Sequence, residues 1–191
     1  MGEHEIRTAN AKPAAVFLDR DGVLNAAVVR DGRPYPPAAV AEFVLLPGVV
    51  EACEKLRAAG YRLVVVTNQP DVGRGTQTRA EVDAMHARLR ALAPGIDRVE
   101  VCFHGGTDFG QPCDCRKPAP GMVLAAARAL DIDLAKSWLV GDRWRDIDCG
   151  HAAGCRTIFI DYGYAEKLRQ PPDFCVHSLS EAAQIVLENR R

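Results

Sequence analysis

A chain of 191 residues has material for one domain with a substantial core and too little for two. Its 48% hydrophobic and 26% charged residues are ordinary globular usage, which argues against disorder. A net charge of -1 leaves no electrostatic footprint for duplex nucleic acid or an anionic membrane, and the longest apolar runs, such as Leu63 to Val66, are far too short to span a bilayer.

Residues 1–13, "MGEHEIRTANAKP", read as a polar tail that contains His4 and lacks the apolar core of a signal peptide. Met1-Gly2 invites comparison with a myristoylation motif, but Ile6 stands where that motif has Ser or Thr. A cytoplasmic location is the expectation. Residues 14–191 then read as one domain, a monomer that takes a small-molecule substrate, with no nucleic-acid or membrane partner. Strands are predicted at 14–19, 61–67, 98–103, 137–142 and 156–161, with a weaker one at 174–178. Most are continuous apolar runs, as strands covered on both faces are.

Helix signals separate them. Pro47 opens a helix that Gly60 stops. Thr78 with Glu81, and Ser178 with Glu181, form capping boxes ahead of apolar-periodic segments. Further helices are predicted at 121–130 and at 145–154, the latter ended by Gly154. This β-α alternation predicts an α/β fold with a doubly wound, mainly parallel sheet and helices on both faces. Residues 25–45 are long for a connection, and such loops often serve a site. His86, His151 and His177 have no partner visible in the sequence and read as surface residues. Without a secretion signal, seven cysteines do not imply a disulfide framework, and Cys53, Cys149, Cys155 and Cys175 read as buried thiols.

The informative residues end the strands. The first finishes in Asp19-Arg20-Asp21-Gly22, the second in Thr67-Asn68-Gln69, and the fourth in Gly141-Asp142. In an open α/β sheet, ligands bind beyond the carboxyl ends of the strands, so three strands point polar groups into one crevice. Carboxylates there need a cation, and oxygen ligands completed by water and phosphate describe Mg²⁺. Of Asp19 and Asp21, one can attack phosphorus while the other handles the leaving-group proton. Lys117 can neutralise the phosphoryl charge, and Thr67 can donate to it. Each element alone also has a plainer reading: a D-x-D occurs in metal clips of sugar-nucleotide transferases and in solvated turns, and Gly-Asp is often just an N-cap. Their conjunction carries the weight.

A second constellation lies at 102–118, "CFHGGTDFGQPCDCRKP". Cys102, His104, Cys113 and Cys115 can close a tetrahedral site, for which zinc is the metal suited to sulfur-rich ligands. A closed four-ligand site is structural, and here it would hold Arg116 and Lys117 in place. The rival reading is a zinc-ribbon-like module for nucleic acid or protein; the near-neutral charge and strand-end carboxylates count against it.

Together "FLDRDGVLN", "VVTNQ", "CRKPAPGM" and "GDRWRDID" resemble the four motifs of the haloacid dehalogenase-like (HAD) phosphatases, and the match runs from about Val16 to Asp161. The resemblance implies Asp19 as nucleophile through an aspartyl-phosphate, Asp21 as general acid then base, and Thr67 and Lys117 as phosphoryl stabilisers. It implies Mg²⁺ held by Asp19, the Asp21 backbone carbonyl and Asp142, with Asp146 nearby. No segment is long enough for the large cap domain of other members. The "TNQ" and C-x-H…C-x-C-R-K-P features are similar to two subgroups, the D-glycero-D-manno-heptose 1,7-bisphosphate 7-phosphatases and the histidinol-phosphate phosphatases. "PDVGRG" (70–75) is similar to the heptose group. Asn68, Gln69, Arg74, Arg116 and Arg143 complete the expected substrate-binding set, Arg74 or Arg116 meeting the phosphate that is not cleaved.

Overall fold

The computed structural model describes residues 12–190; residues 1–11, which hold most of the predicted tail, and Arg191 lie outside the described residues. In chain order come β1 (Ala15–Leu18), β2 (Val28–Arg30), β3 (Arg33–Tyr35), α1 (Val49–Ala58), β4 (Arg62–Asn68), the single turn α2 (Pro70–Gly73), α3 (Arg79–Leu92), β5 (Arg98–Cys102), α4 (Gly121–Leu130), β6 (Trp138–Gly141), α5 (Trp144–Ala153), β7 (Arg156–Ile160), β8 (Phe174–Val176) and α6 (Leu179–Glu188). Six strands form one sheet in the order β5-β4-β1-β6-β7-β8. Every pair in it is parallel.

The continuous apolar runs are explained by burial on two faces. Val16, Leu18, Leu63, Val65 and Val140 join the core that α1, α3 and α6 cover. Their neighbours Ala15, Phe17, Val64, Val66 and Leu139 face the opposite way, into the core under α4 and α5. Strand residues alternate faces, so a strand with helices on both sides must be apolar throughout.

The helix ends follow local chemistry. Thr78 Oγ1 accepts from Glu81 N at 3.2 Å and the Glu81 carboxylate accepts from Thr78 N at 2.8 Å, so the first capping box forms as expected. The second is half made: Ser178 Oγ accepts from Glu181 N, but Glu181 turns its carboxylate to His177 N instead. The 25–45 connection is more ordered than a loop. Asp31 (φ 49°) and Gly32 (φ 69°) make a two-residue turn between β2 and β3, the geometry that matches strand twist in tight hairpins. Among the described residues, no helix is long and apolar enough to cross a membrane.

β1 lies at the switch point, with β4 on one side and β6 on the other. The carboxyl ends of these three strands therefore open onto the same crevice.

Candidate active site

Asp19 follows β1 and Asp142 follows β6, while Asp146 lies in the first turn of α5. Carboxylate oxygens of the three come within 4.8 Å of one another, and all three residues are buried. Two glycines allow this approach. Gly22 has φ +88°, and a Cβ there would fall 2.0 Å from Asp142 Oδ2; a Cβ on Gly141 would fall 2.1 Å from that of Asp146.

One ammonium answers the three carboxylates. Lys117 Nζ stands 2.9 Å from Asp19 Oδ1 and 2.6 Å from Asp146 Oδ1. Burial, and then the neighbouring carboxylates, hold the Asp142 pKa well above the usual range, and neither of its oxygens meets a hydrogen-bond donor in good geometry. Burial likewise pushes Asp19 up to about 6, against the pull of Lys117. Burial alone would lower the Lys117 pKa, but Asp146 and Asp19 raise it instead. A cluster of three acids and one cation, with an orphaned buried carboxylate, fits a hard divalent cation bound through oxygen.

The Asp21 side chain stays out of that cluster. Its oxygens accept from Arg20 Nη2 at 2.9 Å each, from Arg20 Nε at 3.1 Å, from Asn25 Nδ2 at 2.9 Å and from Gln69 Nε2 at 2.8 Å. Gln69 Nε2 also reaches Thr67 Oγ1 at 2.8 Å, so this fully buried amide ties β4 to the β1 loop, while its Oε1 is left without a hydrogen-bond partner. Asn68 does a similar job for Lys117, giving Nδ2 to its carbonyl and taking its N–H, each at 3.1 Å.

These groups border a cleft of about 220 Å³ whose wall is cationic: Arg74, Arg116, Arg143 and Arg145 line it beside Lys117. Burial, and then the charges of Arg145 and Arg74, lower the Arg116 pKa, as expected where guanidinium groups crowd without enough anions. Arg143 is already engaged. It forms an ion pair with Glu166, Nε to Oε2 at 2.5 Å, and Nη1 donates to Pro34 O at 3.4 Å, clasping the β2–β3 hairpin to the segment after β7. Arg145 had no signal in the sequence beyond lying near Asp142.

Cys102, His104, Cys113 and Cys115 also converge as expected. Cys102 and Cys113 sulfurs are 3.7 Å apart, Cys113 and Cys115 3.4 Å, and His104 Nδ1 lies 3.5 and 3.3 Å from Cys102 and Cys115. A tetrahedral metal with ordinary sulfur and nitrogen bond lengths spaces its ligands by about 3.5–3.8 Å. The thiols are free, and their separations far exceed a disulfide. Arg116 Nη1 donates to His104 O at 3.3 Å, so the cluster and the cleft share a wall.

Other expectations need correction. His86 is buried, with Nε2 3.2 Å from Arg20 Nη1, and His151 Nε2 lies 3.0 Å from Thr157 Oγ1. Cys175 is exposed, on the outward side of the edge strand β8, whereas Cys53, Cys149 and Cys155 are buried as expected.

Comparison with known proteins places these observations. Residues 114–182 match the HAD-hydrolase-like family model. The D-glycero-β-D-manno-heptose-1,7-bisphosphate 7-phosphatase of Pseudomonas putida is 39% identical over 156 residues, covering 80% of this chain and 85% of that protein. The enzyme of the same name from Salmonella typhi is 38% identical over 93% of this chain and 97% of its own length. Among solved structures, the D,D-heptose 1,7-bisphosphate phosphatase of B. bronchiseptica, complexed with magnesium and phosphate, superposes with a TM-score of 0.73 at 32% identity, covering 92% of this chain and 98% of that one. With the strand-end carboxylates, the buried lysine and this likeness along nearly its whole length, the chain belongs to the HAD-like hydrolase superfamily.

Proposed function

We propose that this protein is a phosphomonoesterase that removes the 7-phosphate of D-glycero-D-manno-heptose 1,7-bisphosphate. The observation that carries the reading is one cleft with two anion-seeking groups. Lys117, with the cation that Asp19 and Asp142 would hold, makes one, and the guanidinium groups of Arg74, Arg116 and Arg145 make the other. A substrate with two phosphates satisfies both, and the relatives named above act on such a sugar.

Asp19 is the nucleophile. With a pKa of about 6 it is ionised at neutral pH. Arg20 N at 2.7 Å and Lys117 Nζ at 2.9 Å both engage Oδ1, which leaves Oδ2 to attack phosphorus. As the new P–O bond forms, the ester P–O bond breaks and the sugar oxygen takes a proton from Asp21, which carries it on Oδ2 once that oxygen has released Gln69 Nε2, while Oδ1 stays with Arg20 and Asn25. Asp21, now ionised, receives the proton of the water that attacks the aspartyl-phosphate; phosphate leaves and Asp19 is restored. Lys117 and the Thr67 hydroxyl steady the phosphoryl oxygens, while Asn68 and Gln69 act at one remove by fixing Lys117 and Thr67. Asp19, Asp142 and the Asp21 carbonyl, with Asp146 nearby, would hold Mg²⁺, which when bound offsets the negative charge gathering on the phosphoryl group.

The Cys102–His104–Cys113–Cys115 cluster is read as a zinc site with a structural role, because four protein ligands leave no open position for substrate. The test is kcat/KM for heptose 1,7-bisphosphate and for histidinol phosphate, side by side, with Mg²⁺ and with EDTA. We expect the heptose ester to be preferred by about 100-fold or more and EDTA to stop turnover. Preference for histidinol phosphate would overturn the substrate, and undiminished turnover by Asp19→Asn would overturn the mechanism.

A further inference from the structure

Arg20 carries a full charge in the core. Its relative exposure is 0%, and its guanidinium carbon lies 5.9 Å from the centre of the Phe43 ring. Burying a cation is costly unless its charge and its donors are both matched. Asp21 supplies the charge and takes Nε and Nη2. The remaining edge, Nη1, meets His86 Nε2 at 3.2 Å. A guanidinium can only donate, so His86 Nε2 is the acceptor and the ring is the neutral tautomer protonated on Nδ1. Its surroundings keep it so: burial first, then Arg20, push the His86 pKa down to about 4, with Arg90 adding and Asp21 opposing.

His86 comes from α3 and lies on the far side of Arg20 from Asp21. Asn25 and Gln69 grip Asp21 but neither holds Arg20. His86 is therefore the side chain that pins the outer edge of the guanidinium, and through that plane the angle of its two-pronged hold on the carboxylate.

We propose that His86 is a positioning residue for the proton-transfer step: by anchoring Arg20 it aims the Asp21 carboxyl group at the leaving oxygen. The inference rests on the phosphomonoesterase reading and not on the identity of the sugar. A sugar alkoxide cannot leave without a proton, so an ill-aimed Asp21 slows its release. A 4-nitrophenolate leaves as a stable anion and needs none. Misaiming should thus separate two esters that share Asp19, Lys117 and the metal-binding carboxylates, whereas general damage to the fold would lower both alike.

The experiment compares kcat/KM, which reports the steps up to phosphorylation of Asp19, for a sugar phosphate and for 4-nitrophenyl phosphate. His86→Leu removes the acceptor and should lose about tenfold on the sugar ester and less than about twofold on the aryl ester. His86→Gln, whose amide oxygen can replace Nε2, should stay within about threefold of wild type on both. Arg20→Lys keeps the buried charge but loses the fork, and should reproduce the ester-selective loss by an independent route. Equal losses on both esters, or a folded His86→Leu enzyme with the wild-type ratio, would refute the proposal. Because the readout is a ratio against wild type, it fails separately from the substrate assignment.

Discussion

Lys117→Met should destabilise the metal-free protein, and by an amount that depends on pH. Lys117 Nζ is the buried cation between Asp19 and Asp146, at 2.9 and 2.6 Å, with its side chain 1% exposed. Methionine has similar bulk but leaves both carboxylates without their partner. Breaking a buried pair from one side costs about 3–5 kcal/mol. For a protein of this size that corresponds to a fall in Tm of roughly 6–20 °C. The sign of the pH dependence follows from Asp19. Its pKa is raised in the folded protein from 3.8 to about 6, so the native state binds more protons than the unfolded chain between those values. The contribution of Asp19 to stability is fully present below about pH 4 and is lost as pH rises through about 6. Removing Lys117 takes away the group that pulls this pKa down, so in the variant the loss continues to higher pH. The raised pKa of Lys117 itself keeps its own contribution constant across this window. Thermal melts of both proteins in EDTA from pH 4 to 8 should therefore show a deficit that widens as pH rises. Equal Tm values at pH 7, or a deficit that grows toward acid, would refute the electrostatic account of the cluster.

Arg74→Ala should raise KM for the bisphosphate about tenfold and spare a monophosphate, because the lost guanidinium meets the phosphate that stays; steady-state kinetics on the two substrates decide it, and equal losses would count against the assignment. Wild type should carry one zinc by metal analysis, and Cys113→Ser should carry none and lose up to about 100-fold in kcat through displacement of Arg116 and Lys117. The same variant should still require Mg²⁺; a folded, zinc-free protein with wild-type kcat would show that the cluster does not position the site.

The groups that converge on the cleft are legible because they interrupt apolar strands: Asp19, Thr67 and Asp142 each stand where a buried run turns polar. Their surroundings were harder to read. Asn68 and Gln69 read as ligands for substrate, but nothing in one sequence says that their amides also reach across the crevice, to Lys117 and to Asp21. His86 carries its signal in the helix period. Val82, Met85, His86 and Leu89 are the buried positions of α3 and follow the spacing of one helical face, so the histidine belonged to the core side from the start. The β2–β3 hairpin was likewise marked by Asp31-Gly32 between short runs, but three-residue strands, one containing Pro34, fall below the length at which alternation can be recognised. The Arg143–Glu166–Pro34 clasp joins segments far apart in the chain, and no local pattern encodes it.

The place of β1 between β4 and β6 also sets when this enzyme becomes an enzyme during its synthesis. Val16 pairs with Leu63 on one side and with Trp138 on the other, and the hydrogen bond from Ala15 N to Ser137 Oγ spans 122 residues. The strand that leads to Asp19 is made before both of its neighbours, yet half of its support, and the carboxylates of Asp142 and Asp146, arrive only with β6 and α5. At about 5–20 residues per second, the nascent chain waits roughly 6–24 s with one edge of β1 unpaired. Long-range parallel pairing of this kind is slow to form and exposed while it waits. β1 thus depends for its completion on a strand translated long after it, and a chain truncated before α5 should show no partial activity.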